Sequence, residues 1–76
     1  MTSKAFILIE TAVGKSKAVA NALRKLEGVD SADIVTGPYD IISVIQAETL
    51  NNIGEVVTEK IQPLPGISRT VTCLAI

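Results

Sequence analysis

The sequence predicts an α+β fold in which one four-stranded antiparallel sheet carries two helices on one of its faces. Three observations point there. Four apolar, β-branched runs are separated by two stretches of helical period, in the order β-α-β-β-α-β. A Gly37-Pro38 pair near the middle of the 76 residues sets a turn between the second and third runs. A shift of 38 residues lays one half of the chain on the other, placing Leu26-Glu27-Gly28-Val29 on Leu64-Pro65-Gly66-Ile67. The same shift sets Ile7 on Ile45, Thr11 on Thr49, Val19 on Val57 and Leu23 on Ile61. Two βαβ halves of equal length make a ferredoxin-like βαββαβ fold, and right-handed crossovers put both helices on the same side of the sheet.

The first strand is Lys4 to Glu10, a continuous apolar run bounded by charges. Lys15 to Glu27 follows as a helix, with Val19, Ala22, Leu23 and Leu26 on one face, most of the charges on the other and Gly28 as its C-terminal cap. Val29 to Thr36 reads as a strand, and Asp30 and Asp33 mark it as an edge, because charges discourage further pairing. Tyr39 to Ala47 is the third strand. Thr49 stands where an N-cap belongs, and Leu50, Ile53, Val57 and Ile61 repeat helically behind it. Gly54 weakens that helix and suggests close packing. Gln62 to Gly66 ends it, and Ile67 to Ile76 is the last strand.

The first and third strands are the most apolar and belong at the centre. Neither alternates as a strand with one wet face should. Ala5, Ile7 and Ile9 oppose Phe6 and Leu8, while Ile41 and Ile45 oppose Ile42 and Val44. Two helices cover only one face, so the pattern predicts a second sheet on the other, most simply by two-fold dimerisation. Ten isoleucines and eight valines in one short chain agree with a permanent partner subunit.

The composition excludes several functions. Net charge is −1, and the four basic residues of the first helix have no interleaved aromatics; a solvated helix face accounts for them, and direct nucleic-acid binding is not expected. No apolar run is long enough for a membrane helix. The start, Met1-Thr2-Ser3-Lys4, lacks the layout of a signal peptide, so the expected address is cytoplasmic. One cysteine, Cys73, allows neither an internal disulfide nor a CxxC site, and it reads as a packed thiol in an apolar strand. There is no histidine, so the commonest acid-base group and metal ligand is missing. Gly14-Lys15-Ser16 imitates the end of a phosphate loop but lacks its first glycine. Neither an enzyme nor a cofactor is expected.

What remains is a small polar constellation. It consists of the turn Gly37-Pro38-Tyr39-Asp40 and the alternating hydroxyls Ser68, Thr70 and Thr72 on the last strand. A carboxylate, hydroxyls and free turn N–H groups match a zwitterion: Asp40 accepts from an α-ammonium, and threonines and backbone amides hold an α-carboxylate. The plainer alternative is that Asp40 caps its own turn and the threonines are ordinary β-formers.

The turn Gly37-Pro38-Tyr39-Asp40-Ile41 and the ending Leu64-Pro65-Gly66-Ile67-Ser68-Arg69-Thr70-Val71-Thr72, with Leu26-Glu27-Gly28-Val29, resemble the ligand-binding (RAM) domain of the Lrp/AsnC, or feast/famine, transcription regulators from Lys4 to Ile76. The resemblance implies a dimeric α+β barrel, a homodimer that associates into rings of eight or ten chains, with amino-acid effectors in clefts between dimers near the turn. It assigns Gly37, Tyr39, Asp40, Thr70 and Thr72 to ligand binding; Pro38 departs from the pattern and removes one turn N–H. With Met1 three residues before the first strand, the chain resembles stand-alone members without a helix-turn-helix, a single domain over 1–76 that modulates transcription through full-length Lrp/AsnC regulators. An ACT-like regulatory domain and a small enzyme on the same barrel architecture are the alternatives.

Overall fold

The computed structural model describes residues 2–76. Its elements run β1 (Ser3–Thr11), α1 (Ser16–Arg24), β2 (Val29–Ile34), β3 (Ile41–Ala47), α2 (Leu50–Glu55) and β4 (Ile67–Leu74), with α2 continued by a π-helical segment over Val56–Ile61. The strands lie in the order β2-β3-β1-β4, every neighbouring pair antiparallel. This is the ferredoxin-like arrangement, with β1 and β3 at the centre and the acid-bearing β2 at an edge.

Pairing register fixes which side chains share a face. Ala5 faces Ile45, Ile7 faces Ser43 and Ile9 faces Ile41, all fully or almost fully buried beneath the helices. Val19, Ala20 and Leu23 of α1 pack onto them, as do Ile53, Val56, Val57 and Ile61 of the second helical segment. Ser43 is the one buried polar residue of this layer, and its hydroxyl donates to the Ser31 carbonyl at 2.8 Å. The β2–β3 register shifts between Val29 and Ser31 beside it. Arg24 ties α1 to the edge strand, its Nε and Nη2 donating to the Ala32 carbonyl at 3.0 and 2.7 Å.

The opposite face is apolar at its centre. Leu8 lies between Ile42 and Val71, and Phe6 between Val44 and Cys73. Leu8, Ile42, Val44 and Val71 are half-buried, and Phe6 is 37% exposed. Polar groups ring this centre. Glu10 and Arg69 pair at 3.3 Å at one end, and Lys4 stands 5.3 Å from the centroid of Phe6 at the other. Both central strands are therefore apolar on both sides, as their failure to alternate predicts.

Several expectations change. α1 stops at Arg24 because the chain tightens, Leu26 N–H bonding to the Leu23 carbonyl. Gly28 therefore does not cap the helix but turns the chain into β2, at φ +92°. Its repeat equivalent Gly66 does the same before β4 at φ +97°. β2 ends at Ile34 and β3 begins at Ile41, so Val35 to Asp40 form a loop, closed by Val35 N–H to the Asp40 carbonyl at 2.9 Å. Thr49 does cap α2, accepting from Asn52 N–H at 3.1 Å. Leu50 is 56% exposed instead of buried. The π-helical turn, with Gln62 N–H on the Val57 carbonyl, replaces the expected regular helix. Its wider winding brings Val56, Val57 and Ile61 onto one buried face, since residues four and five apart now align. Cys73 is exposed, not packed, because β4 is an edge and its side chain points to the helix-free face.

The two helix-side glycines have opposite roles. A Cβ at Gly54 would meet nothing within 4 Å, so close packing does not explain it, whereas one at Gly66 would lie 3.0 Å from Lys15 Cβ and Val19 Cγ2. Gly54→Ala should therefore raise stability by about 0.5–1 kcal/mol through helix propensity. Gly66→Ala should lower it by more than about 1 kcal/mol, since it meets both strain at positive φ and a clash. Urea denaturation of the two variants, compared at the same m-value, checks the sign of each.

Candidate functional site

Asp40 is held at the point where three segments meet. Its own N–H continues the β1–β3 pairing by donating to the Ile9 carbonyl at 2.9 Å. Its Oδ2 accepts the Thr11 N–H at 2.8 Å and the Thr11 hydroxyl at 3.3 Å. Thr11 Oγ1 in turn lies 2.7 Å from the Ser16 hydroxyl at the start of α1. With the Thr11 proton directed at the carboxylate, Ser16 donates to Thr11, and the relay Ser16–Thr11–Asp40 links α1, β1 and β3. The register of β1 against β4 shifts at this same place, between Glu10 and Thr11. The irregularity is where the Thr11 amide turns to the carboxylate. Asp40 thus caps neither its own turn nor a helix; it closes the end of β1.

Neither Thr11 nor Ser16 is expected as a partner from the sequence. The signal was available in part, since the 38-residue repeat pairs Thr11 with the capping Thr49. What the repeat could not show is that the Thr11 hydroxyl turns to another strand, while Lys15, with no side-chain cap, precedes α1.

The carboxylate's hydrogen bonds among the described residues all fall on Oδ2, which leaves Oδ1 as an acceptor at the rim. Tyr39 lies half-buried beside it, and Gly37 and Pro38 are exposed. Gly37 has φ +147°, which favours glycine, and a Cβ there would meet nothing within 4 Å. Gly37, Tyr39 and Asp40 therefore form one open polar corner at the end of the sheet.

The threonines lie elsewhere. Thr70 pairs with Ile9 and Thr72 with Ile7, so β1 stands between them and the β3 end of the sheet. At ~4.8 Å per strand spacing, Thr70 is roughly 10 Å from Asp40 across the sheet. The two threonines do not share a recess. Thr70 accepts from Gln62 Nε2 at 3.4 Å and lines a small cleft with Gln62, Ser68 and Arg69. Thr72 lines an apolar cleft of about 370 Å³ between β4 and α2, with Leu50, Gly54, Val57 and Leu74. One chain alone thus brings together three of the five expected residues and places the two threonines on the other side of β1. Among the described residues no group of three or more Cys, Asp or Glu side chains is placed to hold a metal ion, and no helix is long and apolar enough to cross a membrane.

Comparison with known proteins places this geometry in context. The model of the family described as Lrp/AsnC ligand binding domain matches residues 4–76. An uncharacterised helix-turn-helix-type transcriptional regulator of Pyrococcus furiosus is 34% identical over 59 residues, which cover 78% of this chain and 39% of that one. The chain thus spans well under half of the curated relative it matches there. The crystal structure of FFRP-DM1 superposes with a TM-score of 0.92 at 39% identity, covering 97% of this chain and 99% of that one. The L-Met complex of a transcriptional regulator from Neisseria meningitidis has the same fold, with a TM-score of 0.86 at 18% identity, over 97% of this chain and 49% of that one.

The relay at Asp40 has a measurable consequence. Asp40→Ala leaves the Thr11 amide and hydroxyl without their acceptor and should cost about 1–2 kcal/mol of stability. Asp40→Asn keeps an acceptor oxygen and should cost less. Chemical denaturation that found both variants as stable as the parent would contradict a structural role for the carboxylate.

Proposed function

The chain belongs to the Lrp/AsnC ligand-binding domain family, and from that premise we propose that residues 1–76 form an amino-acid-responsive, oligomeric module acting on transcription through Lrp/AsnC-type regulators. It contacts no DNA itself: net charge is −1, and the basic residues of α1 have no aromatics interleaved among them. It is not an enzyme, having no histidine and no grouped acid-base pair at the polar corner. The expected setting is the cytoplasm, where such regulators meet DNA.

The observation that carries the reading is the carboxylate of Asp40, anchored through Oδ2 with Oδ1 left at an open corner beside Tyr39 and the Gly37 turn. An anchored carboxylate with a spare oxygen is preorganised for an α-ammonium, and charge-assisted bonds of this kind are the strong ones. The corner is open in one chain, with Gly37 and Pro38 exposed, and on this reading a neighbour completes it. The threonines Thr70 and Thr72 of an adjoining chain are the groups to hold the α-carboxylate. A regulator of this fold has been crystallised with L-Met, which makes amino acids the first class to examine.

The apolar centre of the helix-free face supplies the first neighbour. Phe6, Leu8, Ile42, Val44 and Val71, with their rim of Lys4, Glu10, Asp33 and Arg69, have the layout of an interface: apolar centre, polar border. At ~25 cal/mol per Å² of apolar area removed from water, covering what remains exposed of these side chains contributes several kcal/mol per subunit. Sheet-to-sheet dimerisation follows, with larger rings built from dimers.

A second reading, an ACT-like domain, draws on the cleft at the helix-side edge lined by Thr72. The two readings separate by titration calorimetry against the twenty amino acids. Binding at Asp40 should weaken at least tenfold in Asp40→Asn, the loss of one charge-assisted contact. Binding in the helix-side cleft should survive Asp40→Asn and weaken in Thr72→Val. No heat from any amino acid at millimolar concentration would overturn both.

A further inference from the structure

The two halves of the chain diverge where they meet the Asp40 corner. The 38-residue repeat sets Thr11 on Thr49. Thr49 caps its own helix, accepting from the Asn52 N–H at 3.1 Å. Thr11 does not cap α1, which begins at Ser16 behind Lys15 with no side-chain cap. Its hydroxyl turns instead to Asp40 Oδ2, at 3.3 Å, and lies 2.7 Å from the Ser16 hydroxyl. A helix start without a capping side chain is the less stable arrangement. The repeat also shows what differs between the corners. The same shift sets Asp40 on Thr2, so the corner at Thr49 has no carboxylate and its threonine is free to cap. The Thr11 hydroxyl is given up by the helix and used at Asp40.

One bond does not orient a carboxylate, because the torsion that turns its plane is broad and two-fold. The Thr11 N–H, 2.8 Å from Oδ2, fixes where that oxygen sits and leaves the plane free to swing. The hydroxyl reaches the same oxygen from a second direction, and the two donors fill both lone pairs of Oδ2. Oδ1 keeps both of its own, aimed one way. At 3.3 Å the hydroxyl bond is long for its kind and depends on what stands behind it. Ser16 stands there: donating to Thr11 Oγ1 at 2.7 Å, it polarises that hydroxyl and strengthens its hold on Asp40. The segment between them is pinned. Ala12 N–H donates to the Gly66 carbonyl at 2.8 Å, and Lys15 N–H to the Ala12 carbonyl at 3.0 Å. Thr11 and Ser16 are both half-buried, on the Oδ2 side of the carboxylate.

We propose that Thr11 and Ser16 are positioning residues of the ligand site: through Oδ2 they set the plane of the Asp40 carboxylate, and with it the direction in which Oδ1 meets the α-ammonium of an amino acid. The inference rests on the reading of Asp40 given above and adds to it two residues that do not touch the ligand. Ser16 acts only through Thr11, and the Thr11 hydroxyl acts only through Asp40. Their effects on binding are therefore not additive, which separates a relay from independent contributions to the fold.

The test is titration calorimetry of the full chain with each of the twenty amino acids, with chemical denaturation run beside it. Thr11→Val removes the hydroxyl but keeps the branched shape and the N–H, and should weaken binding about fivefold. Thr11→Ser returns the hydroxyl and should bind within about twofold of the parent. Ser16→Ala should weaken binding about twofold in the parent and not at all once Thr11 is valine. Thr11→Val should likewise add nothing to the loss caused by Asp40→Asn. A merely structural relay lowers the denaturation midpoint and leaves the affinity of the folded chain unchanged. If Asp40→Asn weakens binding while Thr11→Val and Ser16→Ala bind as the parent does, the positioning role is overturned and the reading of Asp40 stands. Equal losses from Ser16→Ala with threonine or valine at 11 overturn the relay in the same way. Should Thr11→Val fail to fold, Ser16→Ala decides alone, and unchanged affinity overturns the proposal. A parent that binds no amino acid, or binds as well with asparagine at 40, overturns the reading of Asp40 and this inference with it.

Discussion

The structure depends on one constraint: its two central strands are apolar on both sides, and the chain has helices enough to cover only one. β1 and β3 bury Ala5, Ile7, Ile9, Ile41 and Ile45 beneath α1 and α2. The same strands present Phe6, Leu8, Ile42 and Val44 to the other side, where the chain supplies no layer of its own. A sheet built this way gains little from standing alone. A 76-residue domain has only a small core, and leaving Phe6, Leu8, Ile42, Val44 and Val71 partly in water lowers what it contributes. On the proposed reading, association is part of folding, and any pocket formed with neighbours depends on it.

The polar groups follow from the same constraint. Charges are kept off both sheet faces except at the ends of strands, where Lys4, Glu10 and Arg69 border the apolar centre. Asp40 is the exception that the architecture uses. It sits at the start of a buried strand, and its placement is tolerated because Thr11 turns both its amide and its hydroxyl to it. A carboxylate fixed in this way serves two purposes: it closes the corner of the sheet, and it presents a second oxygen in a defined direction. The turn-cap alternative fails because the bonds go to Thr11 and not to the turn, yet a structural role of this kind leaves the second oxygen free.

The fold was legible in the sequence because its signals were redundant. Strand runs, helical periods, the Gly-Pro turn and the 38-residue repeat all pointed to one strand order, and the acids of β2 identified the edge. Element ends were less legible. Where α1 stops depends on a change of hydrogen bonding at Leu26, and the π-helical turn at Val56 depends on packing against the sheet, neither of which leaves a residue signature. Cys73 and Leu50 look buried by residue type and are exposed by position, one on an edge strand and one at a helix end. The site was half legible: Gly37, Tyr39 and Asp40 adjoin in sequence and in space. Thr70 and Thr72 lie across β1, because strand order, not sequence pattern, decides what faces what.

The central claim is that the helix-free face is covered by a second copy. It is tested most directly by sedimentation equilibrium at micromolar concentration in 1 M salt, where surface charge pairs are screened and apolar burial is not. The account predicts a particle of about 16 kDa, twice the chain mass of 8.0 kDa, that falls apart when Leu8 is replaced by lysine. A folded, stable particle of 8.0 kDa from the unaltered chain would contradict it.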